Sequence, residues 1–233
     1  MEAIILAGGM GTRLKSVVSE LPKPMAPING KPFLAYLLDY LSRFPIEHIV
    51  LSVGYQWEFI SDYFGECYSG MTIDYSIEDE PLGTGGAVKK ALALCWNNHV
   101  LLLNGDTFFD VDLTFLLDIH QRKDAYITLA LKEMLHFDRY GTVEFEDTRV
   151  TAFREKAFTA HGYINGGVYA LRADLFDDIN LPTKFSLEMD FLYKKYSELY
   201  FAGVPFSGNF IDIGIPEDYS AAQSKLPEWM QYE

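Results

Sequence analysis

The sequence predicts an α/β fold: a three-layer sandwich around a mostly parallel mixed sheet, with a small α+β lid formed by the second half of the chain. Three observations predict it. Short apolar runs alternate with segments of helical period from residue 3 to about residue 123. These runs end in glycine-containing turns, where open α/β sheets gather their ligands. From Tyr140 onward the rhythm changes to short strands that read as a hairpin. No Pro/Ser-rich linker divides the halves, so residues 1–233 read as a single domain.

Residues 3–6 are a buried first strand, followed by a turn containing Gly8, Gly9 and Gly11. Closely spaced glycines let the backbone pass near a bulky anion, and a following helix start aims free N–H groups at it. Arg13 and Lys23, the latter in Pro22-Lys23-Pro24, bring positive charge to the same strand end. The turn is no Walker loop, for no Gly-Lys-Ser/Thr follows. It is no dinucleotide fingerprint either: Gly9 and Gly11 fit two positions, but Leu14 stands where the third glycine belongs.

Pro32 opens a segment with Phe33, Leu34, Leu37, Leu38 and Leu41 at helical spacing. Residues 49–53 form a β-branched run, and Trp57, Ile60, Tyr63 and Phe64 mark a helix stopped by Gly65. Met71, Ile73, Tyr75 and Ile77 alternate with polar neighbours as a half-exposed strand does. A second glycine loop, residues 81–86, leads into a helix through Ala87, Ala91, Leu92 and Leu94. Residues 100–103 form a buried strand that ends at Asn104-Gly105-Asp106. Residues 114–123 read as helix and 125–132 as strand. Then come a hairpin over 142–146 and 150–155, a strand over 163–171, a helix over 185–196 and a strand over 200–204. A last helix ends near residue 225.

A chain of 233 residues buries roughly 70–75% of its unfolded surface, enough for a substantial core. The net charge of −14 argues against nucleic acid and anionic membranes as partners. Small anions respond instead to the local field of Arg13, Lys15, Lys23 and Lys31, a cluster that equally suits a solvated patch. Cys67 and Cys95 suit neither a disulfide framework nor a redox pair. With no leader-like or membrane-spanning apolar run, a cytoplasmic location is expected. Nothing in the pattern fixes an oligomeric state.

Asp106 ends a buried strand behind a glycine, a position that suits a metal-binding carboxylate and, taken alone, suits a turn aspartate better. Asp212, in Phe210-Ile211-Asp212-Ile213-Gly214, supplies the second carboxylate that a Mg²⁺ site facing phosphates needs. Glu155-Lys156 follows a strand and offers a cation to a second anion, or merely an exposed ion pair. Asn165-Gly166-Gly167 lies inside a strand, where paired glycines mark close approach of a ligand or a bulge. The five histidines show no metal spacing, and no Gly-x-Ser-x-Gly elbow is present.

Taken in order, these motifs resemble the sugar-1-phosphate nucleotidyltransferases, a Rossmann-like family. The likeness runs through residues 6–14, 22–25, 81–87, 104–106, 140–141, 155–156, 165–167 and 212–219, nearly the whole chain. The loops at 81–87 and 105–112 look most like those of the D-glycero-α-D-manno-heptose 1-phosphate guanylyltransferases, with mannose-1-phosphate enzymes next. The resemblance implies that Leu6, Ala7, Gly8, Gly9, Gly11, Thr12, Arg13, Lys23 and Asp106 hold a nucleoside triphosphate, with Gly83 and Thr84 near its base and ribose. It implies Mg²⁺ on Asp106 and Asp212, and the sugar 1-phosphate on Gly141, Glu155, Lys156 and Asn165. Residues 1–135 would then serve mainly the nucleotide and 136–233 a sugar-binding lid. Catalysis falls to Arg13, Lys23, Asp106, Lys156 and Asp212. Ile215 and Ala157 depart from the threonine and proline usual in the family, without removing a charge. A sensor that had lost catalysis would lack one of these charged groups, and a dinucleotide oxidoreductase would not carry Leu14.

Overall fold

The computed structural model describes residues 1–9 and 21–231. The first apolar run forms β1 (Glu2–Leu6), followed by a small hairpin, β2 (Pro27–Ile28) and β3 (Lys31–Pro32). Pro32 holds the N-cap position of α1 (Phe33–Leu41), a helix with eight of its nine residues buried. The expected β-α rhythm continues through β4 (His48–Val53), α2 (Glu58–Phe64), β5 (Cys67–Tyr68), β6 (Met71–Ile77) and α3 (Gly83–Leu92). Gly65 stops α2 with φ of 62°, as its sequence position predicts.

Next come β7 (His99–Asn104), the short β8 (Thr107–Phe109), and α4 (Leu113–Arg122), whose N-cap Asp112 accepts from Phe115 N–H at 2.9 Å. The second half adds β9 (Ile127–Phe137), the hairpin β10 (Val143–Glu146) and β11 (Arg149–Phe153), and the long β12 (Thr159–Arg172). A π-helical turn, Leu187–Leu192, runs into α5 (Tyr193–Lys195) where a continuous helix is predicted. The chain then forms β13 (Phe201–Phe206), β14 (Phe210–Asp212) and α6 (Pro216–Trp229).

Among the described residues, ten strands form one mixed sheet in the order β10-β11-β13-β9-β12-β7-β1-β4-β6-β5. The block β7-β1-β4-β6 is parallel throughout. From β1 the chain steps outward through β4 to β6, then returns across β1 to β7. That reversal opens a crevice at the C-terminal ends of β1 and β7, where Leu6 and Asn104 lie in register. The second half grows on the same sheet, since β12 pairs antiparallel with β7 from Val168↔Leu103 to Arg172↔His99.

Strand alternation divides the core into two layers. Ala3 and Ile5 of β1 pack with α1, whereas Ile4 packs with Val88, Ala91 and Leu92 of α3. Ile4, Ile5, Val88 and Leu92 each contribute roughly 1.5–3 kcal/mol when buried. Among the described residues no helix is long and apolar enough to cross a membrane.

One buried polar group gives the fold a pH dependence. His120 of α4 is fully buried, its Nδ1 2.9 Å from Thr128 Oγ1. Burial, and then the charges of His99 and Arg172, push its pKa down to about 4 from 6.5. The unfolded chain therefore takes up a proton between those values that the folded chain refuses. Stability is full above pH 6.5 and falls toward pH 4, by about 3 kcal/mol from this group. Urea midpoints at pH 7.5 and 5.0 should show a shallower acid loss in His120→Gln than in wild type.

Candidate active site

The floor of the crevice is set by a backbone contact. Gly105 N–H donates to the Leu6 carbonyl at 3.0 Å, which ties the turn after β7 to the end of β1. A Cβ at position 105 would lie 2.4 Å from that oxygen, so a side chain there forces the strand ends apart. This close approach carries Asp106 to the first glycine turn.

A second carboxylate arrives through the short ribbon of β8 and β14, where Asp212 faces Thr107 and Ile213 N–H donates to the Asp106 carbonyl at 3.0 Å. Lys23 completes the group from a 3-10 turn, Lys23–Met25, that follows Pro22. Its Nζ donates to Asp106 Oδ2 at 2.5 Å and stands 4.0 Å from Asp212 Oδ1. With its side chain only 9% exposed, Lys23 is a nearly desolvated cation held by two anions.

Asp212 remains under-compensated. Burial pushes its carboxyl above the ordinary aspartate value, and the Asp106 charge pushes the same way, against Lys23 and the Gly214 N–H at 2.7 Å. A hard divalent cation fits this donor set, because Mg²⁺ takes one or two carboxylates and completes its shell with phosphate oxygens and water. Among the described residues no group of three or more acidic, histidine or cysteine ligands gathers, as that partly solvated mode of binding requires of none.

Above this floor opens a cavity of about 840 Å³, within the range of small-molecule sites. Leu6, Gly8, Gly9, Lys23, Gly83, Thr84 and Asp106 line it, bringing together the described part of the nucleotide set. Ala7 lies buried behind them and donates to the Ser52 carbonyl at 2.7 Å. Gly11, Thr12 and Arg13 fall outside the described residues.

The second glycine loop is a wall rather than an anion cradle. Gly83 has φ of +72°, which glycine adopts readily. The N–H groups of Gly85 and Gly86 donate to the Phe185 carbonyl at 3.0 and 3.4 Å. Thr84, expected near base and ribose, accepts from Leu187 N–H at 2.9 Å and so braces α3 against the π-helical turn. Glu78, at the end of β6, also lines the cavity; its Oε2 accepts from Leu82 N–H at 2.8 Å. Its signal in the sequence was its place at a parallel strand end, the position that also marks Asp106.

Gly141, Glu155, Lys156 and Asn165 are arranged around the π-helical turn and α5. Gly141 packs against the Arg154 carbonyl and the Tyr193 hydroxyl. Glu155 and Lys156 are exposed on the loop after β11, where the Glu155 charge acts on Tyr193 and the Lys156 charge on Glu188. Asn165 sits where the β9–β12 register shifts, so the paired glycines do mark a bulge. Its Nδ2 donates to the Tyr169 hydroxyl at 2.7 Å and to Glu188 Oε1 at 3.1 Å. Glu188 was missed because a lone glutamate in an amphipathic segment reads as an exposed helix face.

The profile of the nucleotidyl transferase family matches residues 2–228. The chain is 52% identical over 230 residues to a D-glycero-alpha-D-manno-heptose 1-phosphate guanylyltransferase of Aneurinibacillus thermoaerophilus, covering 99% of this chain and all of the relative. It is 50% identical to the protein of that name from Campylobacter jejuni, covering 94% of this chain and 97% of the relative. A crystal structure of HddC from Yersinia pseudotuberculosis complexed with GMP-PN superposes with a TM-score of 0.84 at 38% identity, covering 96% of this chain and 98% of that one.

Proposed function

Because the chain belongs to the nucleotidyl transferase family, we propose that it joins GTP to D-glycero-α-D-manno-heptose 1-phosphate, releasing pyrophosphate. The observation that carries this reading is Lys23, held between Asp106 and Asp212 on the floor of the cavity. The relatives in Aneurinibacillus and Campylobacter support the choice of sugar and of guanine.

The reaction is an in-line displacement: a sugar-phosphate oxygen forms a bond to the α-phosphorus of the triphosphate, and the bond to pyrophosphate breaks. A phosphate monoester is largely dianionic near neutrality, its second pKa being about 6, so the nucleophile needs no general base. The protein's task is alignment and charge compensation. Residues 6–9 form the wall beside the triphosphate, Arg13 and Lys23 meet its charge, and Lys156 meets the sugar phosphate. Asp106 and Asp212 would hold Mg²⁺, which when bound would supply further screening of phosphate charge. Residues 1–135 thus serve mainly the nucleotide and 136–233 the sugar phosphate, and we place the activity in the cytoplasm.

Glu78 supports guanine. A carboxylate only accepts hydrogen bonds, and guanine presents adjacent N1–H and N2–H donors on one edge. Uracil and thymine flank their single N–H with carbonyl oxygens, which repel a carboxylate. Purified protein assayed for pyrophosphate with the four common triphosphates against heptose, mannose and glucose 1-phosphates should prefer GTP and the heptose; preference for UTP or dTTP overturns the guanylyl reading. In the same assay Glu78→Gln should reduce the GTP-over-UTP ratio of kcat/KM roughly tenfold or more.

A further inference from the structure

We propose that Glu188, rather than Asn165, makes the direct hydrogen bond to a hydroxyl of the sugar 1-phosphate, and that Asn165 is the positioning residue that holds it. The Asn165 amide has both donors committed, to the Tyr169 hydroxyl and to Glu188 Oε1. Its Oδ1 accepts the Gly167 N–H at 3.2 Å. Both donors and one of the two acceptor positions of that side chain are engaged in holding the bulge and the glutamate.

Glu188 is placed differently. Its Oε1 is fixed by Asn165, while Oε2 meets no donor among the described residues and the side chain is open to solvent. The π-helical turn produces this presentation: Leu187, Phe191 and Leu192 are buried in the core, which leaves Glu188 on the exposed side beside Asn165. The turn is anchored at its N-terminal end, by Leu187 N–H on Thr84 Oγ1 and by Met189 N–H on Ser186 Oγ at 3.2 Å. The charges of Lys156 and Asp106 both act on Glu188, so it lies within electrostatic reach of the proposed phosphate cation and of a proposed metal-site carboxylate. A hydroxyl of a bound sugar can donate to the open Oε2.

This inference rests on the reading that the site takes a sugar 1-phosphate, and deepens it. Steady-state kinetics with the sugar 1-phosphate that wild type uses best provide the test. Glu188→Gln should raise KM for the sugar 1-phosphate roughly tenfold or more and leave KM for GTP within about twofold. Glu188→Asp, which keeps the charge but shortens the reach, should show the same split. Asn165→Ala should raise the same KM, and the double variant Asn165→Ala/Glu188→Gln should be no worse than Glu188→Gln alone, since one residue acts through the other. An unchanged sugar KM in Glu188→Gln and Glu188→Asp, or effects that multiply in the double variant, overturns the inference and leaves the transferase reading intact. A wild type that turns over no sugar 1-phosphate overturns both.

Discussion

Asp106→Asn lowers kcat by roughly a thousandfold while leaving the fold in place. The substitution preserves shape and removes one negative charge from a group of three. Among the described residues, Lys23 Nζ, now 2.5 Å from Asp106 Oδ2, would keep only the more distant Asp212 at 4.0 Å as an anionic partner. The amide is also a poor ligand for a hard divalent cation. Pyrophosphate release measured across a Mg²⁺ titration should show both the loss of kcat and a higher Mg²⁺ requirement, with the far-UV circular dichroism unchanged. Near-normal turnover would refute the assignment of this carboxylate.

Gly105→Ala acts on geometry instead of charge, and its effect is expected to be nearly as large. The new Cβ would fall 2.4 Å from the Leu6 carbonyl oxygen and 3.3 Å from Ala7 Cα. Both neighbours are backbone in the parallel block, so neither can swing aside. The turn must lift, weakening the Gly105–Leu6 hydrogen bond and displacing Asp106 from Lys23. A displacement of about 1 Å at a reacting centre costs on the order of a hundredfold in rate. Overpacking of this kind also costs roughly 1–3 kcal/mol of stability, a Tm loss of several degrees for a chain of this size. Thermal unfolding together with kcat/KM tests it; a variant with wild-type values for both would mean that the strand ends yield without consequence.

Much of this arrangement was legible because parallel β-α units advertise themselves. Residues 49–53 and 100–103 are apolar on both faces, and each is bounded by a helical period, so the block around β1 follows from pattern alone. Glycine turns at strand ends then locate the crevice. Strands as short as β8 and β14 carry too few residues for any period, so the ribbon that pairs Asp212 with Thr107, next to Asp106, was visible only as two aspartates at the ends of apolar runs. The extension of β9 to Phe137 and of β12 back to Thr159 was missed for another reason: Glu133, His136 and His161 are polar because that part of the ribbon is solvated. Thr84 and Asn165 were singled out by sequence. Their side-chain bonds, to Leu187 and to Glu188, depend on tertiary neighbours that sequence spacing does not reveal.

The ribbon of β8 and β14 also bears on how the protein is made. Lys23 and Asp106 are separated by 83 residues and meet as soon as the parallel block forms. Asp212 can join them only once β14 has been made and paired with β8. A chain emerging from the ribosome therefore holds Lys23 and Asp106 before it holds the second carboxylate proposed for the metal. Non-local pairing of this kind is slow to assemble, so catalytic competence should be the last property the nascent chain acquires.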